Sequence, residues 1–228
     1  MEHLIDIQGL KYRYQTAQQE TLAISEFRVE KGESIFLYGP SGSGKTTLLE
    51  ILAGILKPQK GVVKILGQDL SAKSEAERDQ FRGEHLGYIF QNFNLIPYLS
   101  VRENIELPIR LSARRRSRID FGKLENIISD ICDRLGILSV LDRRVTELSI
   151  GQQQRVAVAR ALVGQPDLIL ADEPTSSLDM DHREKFLNLL FDLCKQYGAS
   201  LLFVSHDRSI QHMFSRTVFL SDINKITP

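Results

Sequence analysis

Gly39-Pro40-Ser41-Gly42-Ser43-Gly44-Lys45-Thr46 follows the GxxxxGK[ST] spacing, and that spacing does phosphate chemistry. Glycines let successive backbone N–H groups turn inward around phosphate oxygens. A helix starting directly afterwards adds the partial positive charge of its N-terminus. Lys45 is expected to reach the β- and γ-phosphates of a nucleotide and Thr46 to hold Mg²⁺, with Gly39 through Thr47 forming the binding segment. The pattern alone does not choose among kinases, GTPases and ATPases. A second cluster, Asp172-Glu173, ends the apolar run Leu168-Ile169-Leu170-Ala171. Asp172 suits a Mg²⁺ ligand acting through water, and Glu173 a base that takes a proton from an attacking water. Alone, the pair would equally cap the turn before Pro174; beside a phosphate loop the chemical reading prevails.

Buried parallel strands must place these groups. Ser34–Tyr38 runs apolar into the glycine-rich turn, Leu168–Ala171 into the two acids, and Leu201–Val204 into Ser205-His206-Asp207. Short continuous apolar runs read as strands covered on both faces. Ligands of such sheets gather at the strands' carboxyl ends, where all three runs carry polar residues. A helical run, Thr47 to Leu52, follows the loop and stops near Gly54. Leu4–Tyr14, Leu22–Val29 and Gly61–Leu66 read as antiparallel strands. From about Ser100 to Leu162 the pattern is mostly helical. There Leu124, Ile127, Ile128, Ile131 and Leu135 recur at helical spacing, and Gly136 supplies a stop. The fold expected is α/β: a P-loop NTPase core of RecA-like type with an antiparallel β subdomain and an inserted α-helical subdomain. The chain reads as a single domain over 1–228, with its core at about 1–92 and 163–228 and the helical part at about 93–162.

Composition narrows the classes. The 228 residues are 42% hydrophobic and 25% charged, with Lys+Arg and Asp+Glu at 29 each. A neutral chain gives no electrostatic case for binding phosphate backbones, local patches aside, so no nucleic-acid partner is expected. The two cysteines, Cys132 and Cys194, lie too far apart for a metal-type spacing and read as small buried hydrophobes. Met1-Glu2-His3 opens no leader pattern. No apolar run approaches the roughly 18 residues of a spanning helix, so any membrane task needs another chain. Arg114, Arg115, Arg116 and Arg118 read as a solvated loop between helices, with anionic headgroups or an acidic partner face as the alternative.

Leu148-Ser149-Ile150-Gly151-Gln152-Gln153-Gln154-Arg155, ahead of a helical run from Val156 to Leu162, resembles the LSGGQ signature of the ATP-binding cassette (ABC) family. Further pieces match that family's order: Gln91 after Gly87-Tyr88-Ile89-Phe90, Ser177-Leu178-Asp179, and His206. The resemblance runs from about Leu4 to Leu220. It implies an ATPase subunit of a membrane transporter, with ATP and Mg²⁺ as cofactors. Catalytic roles fall to Glu173, His206, Lys45 and Gln91, and Mg²⁺ to Thr46, Gln91 and Asp172. Tyr14, in preference to Tyr12, would stack on adenine. Ser149, Gly151 and Gln152, just ahead of a helix, would bind the γ-phosphate held by a second copy, and Asp179 would help build that opposite site. The implied partners are that second copy in an ATP sandwich, an integral membrane permease whose short helix enters a groove lined by part of the patch Phe93, Leu95–Leu99, and a periplasmic adaptor. The implied place is the cytoplasmic side of the inner membrane.

Ile150 stands where the signature has its first glycine, which is tolerable if that position is helical or extended. The segment Glu75–Arg78 through Phe90–Pro97 resembles the subgroup of lipoprotein-releasing and macrolide-exporting ATPases. That points to export or mechanical transmission; the alternative is a regulatory cassette that signals through its permease and moves no cargo.

Overall fold

A computed structural model describes residues 3–176 and 178–226, leaving aside the side chains of Phe121 and Asp181. In chain order the elements are β1 (Ile5–Tyr12), β2 (Leu22–Val29), β3 (Ser34–Tyr38), α1 (Lys45–Leu52), β4 (Lys60–Ile65), β5 (Gln68–Asp69), α2 (Glu75–His85), β6 (Leu86–Ile89), α3 (Val101–Leu111), α4 (Ala113–Ser117), α5 (Leu124–Arg134), α6 (Ile150–Leu162), β7 (Leu168–Asp172), α7 (Met180–Tyr197), β8 (Ser200–Ser205), β9 (Arg216–Phe219) and α8 (Leu220–Ile223). They divide into two units, Met1–Arg82 with Leu201–Pro228, and Gly83–Ser200.

The first unit holds an antiparallel sheet in the order β2-β1-β4-β5. Ile5, Ile7, Leu10 and Tyr12 face its core while Gln8 and Lys11 face out. The side-chain alternation slips by one residue between Ile7 and Leu10, where the pairing with β4 also shifts register at a bulge. The same unit places β3 between β8 and β9, all parallel. Ile35, Phe36 and Leu37 are fully buried, as are Leu202, Phe203 and Val204 of β8. Their strand ends, Tyr38 and Ser205, are register partners. The loop after β3 and His206 after β8 therefore leave the ladder side by side.

In the second unit β6 pairs in parallel with β7. Gly87 allows α6 to lie against β6: a Cβ there would fall 2.4 Å from the Ala161 carbonyl oxygen. The helical middle contains α3 to α6, and the leucine–isoleucine periodicity forms α5, stopped at Gly136 with φ 65. Sequence periodicity missed α2, because its one large apolar residue, Phe81, gives no repeat. Its start is set instead by a reciprocal pair in which Glu77 Oε2 accepts from the Ser74 N–H and Ser74 Oγ from the Glu77 N–H.

The basic run corrects the sequence expectation. It is not a solvated loop. It forms most of α4, and Arg115 is 2% exposed. Its guanidinium donates to the Gly83 (2.7 Å), Val163 (2.8 Å) and Leu86 carbonyls. Burial pushes its pKa down to about 10, so it stays charged at neutral pH. Arg118 donates to the Gln165 carbonyl and to Asp167. The two cysteines are buried, and loss of hydration pushes both thiols up to about 12. No helix among the described residues is long and apolar enough to cross a membrane.

Candidate functional site

The phosphate loop follows β3 and runs into α1, whose first two residues are Lys45 and Thr46. That helix starts two residues earlier than the apolar pattern indicated, at Lys45. Gly42 (φ 78) and Gly44 (φ 100) take left-handed backbone. Gly44 is also closely packed, since a Cβ would meet Leu22 Cδ2 at 3.0 Å and the Thr21 carbonyl oxygen at 3.2 Å. This is the geometry that turns N–H groups toward an anion at a helix start. Lys45, 6% exposed, donates from Nζ to the Gly39 (2.8 Å) and Pro40 (3.0 Å) carbonyls. Ser43 Oγ is buried and has no hydrogen-bond partner in the protein, which suits a hydroxyl that completes its bonding on a ligand oxygen. The cleft of about 210 Å³ here is lined by Tyr14, Thr21, Gly42, Gly44, Lys45, Thr46 and Thr47. Ser41 and Thr46 are exposed.

The two tyrosines are told apart by exposure. Tyr12 is 7% exposed and faces the core, whereas Tyr14, at 38%, reaches the cleft. The Tyr14 hydroxyl lies 3.0 Å from Thr47 Oγ1, and the two rings meet edge-on at 5.1 Å. Gln59, which sequence reasoning passed over, holds the Tyr14 approach. Its side-chain amide accepts from the Arg13 N–H (2.8 Å) and donates to the Arg13 carbonyl (2.7 Å). In the same unit, exposed His206 opens the turn after β8. Asp207 closes that turn by accepting the Ser209 N–H at 2.9 Å.

In the second unit Asp172 ends β7 at 6% exposure. Glu173 follows with φ 45, left-handed backbone that a non-glycine residue rarely adopts. Such strain, of order 1–3 kcal/mol, survives where surroundings hold it, and Gln154 of α6 supplies one tie by donating to the Pro174 carbonyl at 2.7 Å. Asp179 N-caps α7: it accepts the His182 N–H at 3.0 Å, and that bond together with the His182 ring holds its carboxyl below the ordinary range. Ser177 lies outside the described residues. Gln91 is exposed, two residues past β6.

The signature helix begins earlier than its apolar pattern indicated. Ser149 is the N-cap and Gly151 lies inside the first turn, so neither merely precedes the helix. A reciprocal pair fixes the start: Gln152 N–H donates to Ser149 Oγ (3.3 Å) and Ser149 N–H to Gln152 Oε1 (3.0 Å). Ile150 is therefore the first helical residue, 61% exposed, and its backbone is not left-handed. A β-branched side chain is accommodated there. Thr46 in the first unit and Asp172 and Gln91 in the second each carry an oxygen of the hard type that Mg²⁺ takes.

The protein-family model described as ABC transporter matches residues 22–176. An uncharacterized ABC transporter ATP-binding protein of Bacillus subtilis is 41% identical over 207 residues, covering 91% of this chain and 78% of its own. The bacitracin export ATP-binding protein of Halalkalibacterium halodurans is 40% identical over 205 residues, covering 90% and 79%. The lipoprotein-releasing system ATP-binding protein of Bacteroides fragilis is 34% identical over 223 residues, covering 98% and 100%. A solved dimeric ATP-binding cassette in a post-hydrolysis state, bound to ADP and Pi, matches with TM-score 0.84 and 31% identity, covering 94% of this chain and 93% of its own.

Proposed function

This chain belongs to the ABC transporter family as an ATP-binding, ATP-hydrolysing subunit, and from that premise we propose how its residues do the work and to what they deliver it. The observation that carries the reading is the cradle at the root of α1, with left-handed Gly42 and Gly44, the unpartnered Ser43 hydroxyl and the indrawn Lys45. Gly39 to Thr47 bind the triphosphate, and Lys45 exchanges the carbonyls of Gly39 and Pro40 for β- and γ-phosphate oxygens. Tyr14 stacks on the adenine. Thr46, Asp172 and Gln91 hold Mg²⁺, which neutralises charge building on the phosphate oxygens. Glu173 orients the attacking water and accepts its proton, and His206 donates to the γ-phosphate as charge develops there.

The second half of each site comes from another copy. Ser149, the Gly151 N–H and Gln152 lie at the positive end of the 13-residue α6, and they face the phosphate held by the partner copy. Asp179 supports that opposite site. Two nucleotides then join two chains head to tail with two-fold symmetry. The solved dimeric relative supports this arrangement.

The helical insertion, about residues 93–162, meets an integral membrane permease on the cytoplasmic side of the inner membrane, with a periplasmic adaptor beyond. Closing and opening of the pair is the motion delivered. Export or mechanical release is the favoured task, supported by relatives that export bacitracin and release lipoproteins.

The test is the solution mass of the Glu173→Gln variant with and without Mg²⁺-ATP. A monomer without nucleotide and a dimer with it is expected, because the missing base traps the bound pair. A chain that binds ATP yet stays monomeric at every concentration would refute the composite site.

A further inference from the structure

Arg160 lies in the last turn of α6, on the helix whose other end carries Ser149. Its guanidinium donates to two successive carbonyls, Phe93 at 2.6 Å and Asn94 at 2.7 Å. Those two residues are the only adjacent non-glycine pair with left-handed backbone among the described residues, at φ 59 and φ 46. L-residues avoid that region, and two in a row persist only where neighbours hold them. The Phe93 N–H closes on the Phe90 carbonyl at 3.0 Å and the Asn94 N–H on the Asn92 carbonyl at 2.6 Å. Gln91 is thus enclosed in a tight turn whose outer rim Arg160 grips. Burial pushes the Arg160 pKa down to about 10, which leaves it charged at neutral pH.

Slack is not taken up further along. Asn104 of α3, fully buried, accepts the Ile96 N–H at 2.8 Å and donates to the carbonyls of Ile96 (3.1 Å) and Ser100 (3.0 Å). The stretch after Gln91 is therefore fastened to α6 at one end and α3 at the other. A planar fork spans two neighbouring carbonyls in a way that a lysine ammonium cannot.

We propose that Arg160 is a positioning residue for Gln91, fastening its turn to the signature helix so that the glutamine and the Ser149 end of α6 move as one piece. This rests on the reading that Gln91 holds Mg²⁺. Arg160→Lys in the full chain tests it, with Arg160→Gln as a second, uncharged variant should lysine disturb folding. In nucleotide-free protein, amides 91–95 are expected to exchange with solvent about tenfold faster, while those of β7 do not change. The Mg²⁺ concentration for half-maximal ATP hydrolysis is expected to rise about three- to tenfold, the scale of one lost charge-assisted bond. That rise should be absent when Gln91→Ala is already present. Unchanged exchange, an unchanged Mg²⁺ requirement, or a rise that persists without Gln91 each overturns the proposal. Gln91→Ala alone reports separately on the Mg²⁺ reading: if it leaves the requirement unmoved, that assignment fails on its own.

Discussion

Asp167, just ahead of β7, shows how one side chain's surroundings set its charge. Burial by itself would raise the pKa of its carboxyl. His85 Nδ1 at 2.7 Å and Arg118 Nη2 at 2.9 Å more than reverse that, and the group settles at about 2. An unfolded aspartate titrates near about 4. A carboxyl depressed by folding stabilises the fold at pH above its unfolded pKa, and the contribution drains away as pH falls through the folded value. Asp167→Asn should therefore cost on the order of 1–2 kcal/mol at pH 7. The gap to the parent chain should close between about pH 4 and pH 2. Denaturant midpoints across that range are the measurement, and a gap that stays constant would mean that packing, not charge, holds the position. His85 did not stand out in the sequence and Arg118 did so only as one of a basic run, since each gains this role from a carboxylate distant along the chain.

At the scale of elements, the five-residue α4 is held less by its own length than by Arg115. Helices this short are not stable alone. Arg115→Met would leave the Gly83, Leu86 and Val163 carbonyls without their donor, and a cost of about 3–5 kcal/mol is expected. Arg114→Ala, one residue earlier and exposed, should stay within about 0.5 kcal/mol. Equal losses in urea unfolding would show that the run acts as a surface. The contrast marks what sequence can carry. Strands β1 to β4, β7 and β8 and the phosphate loop were legible because apolar runs and glycine spacing are local signals, whereas the short β5, β6 and β9 carry too little pattern to be read. The start of α6 was misplaced because only a polar reciprocal cap, Ser149 with Gln152, sets it, while its recurring apolar pattern begins at Val156. The burial of Arg115 and the grip of Arg160 were illegible because each depends on carbonyls supplied by separate segments. The left-handed turn at Glu173 is likewise imposed by neighbours and not by its own residue type.

For the whole molecule the question is what a second copy meets. Ile150 and Met180 are the first residues of α6 and α7, and both leave large apolar side chains outside, at 61% and 57% exposure. Within one chain neither has a packing role that justifies this, and Ile150 replaces the glycine expected by the family pattern. If the pair of chains closes over Ser149 and Gly151, Ile150 is covered at both sites of a two-fold assembly, so its contribution counts twice. Covering half of an isoleucine gives roughly 1 kcal/mol per site. In the Glu173→Gln background, Ile150→Gly should then weaken the Mg²⁺-ATP dimer about thirtyfold. Monomer stability should fall by only about 0.5 kcal/mol, the helix-propensity difference at an exposed position. Sedimentation over a concentration series reads the first quantity and thermal unfolding without nucleotide the second. A tighter dimer with glycine would show the opposite, that the isoleucine obstructs closure and that this chain needs its membrane partner to bring the two signature ends onto the nucleotides.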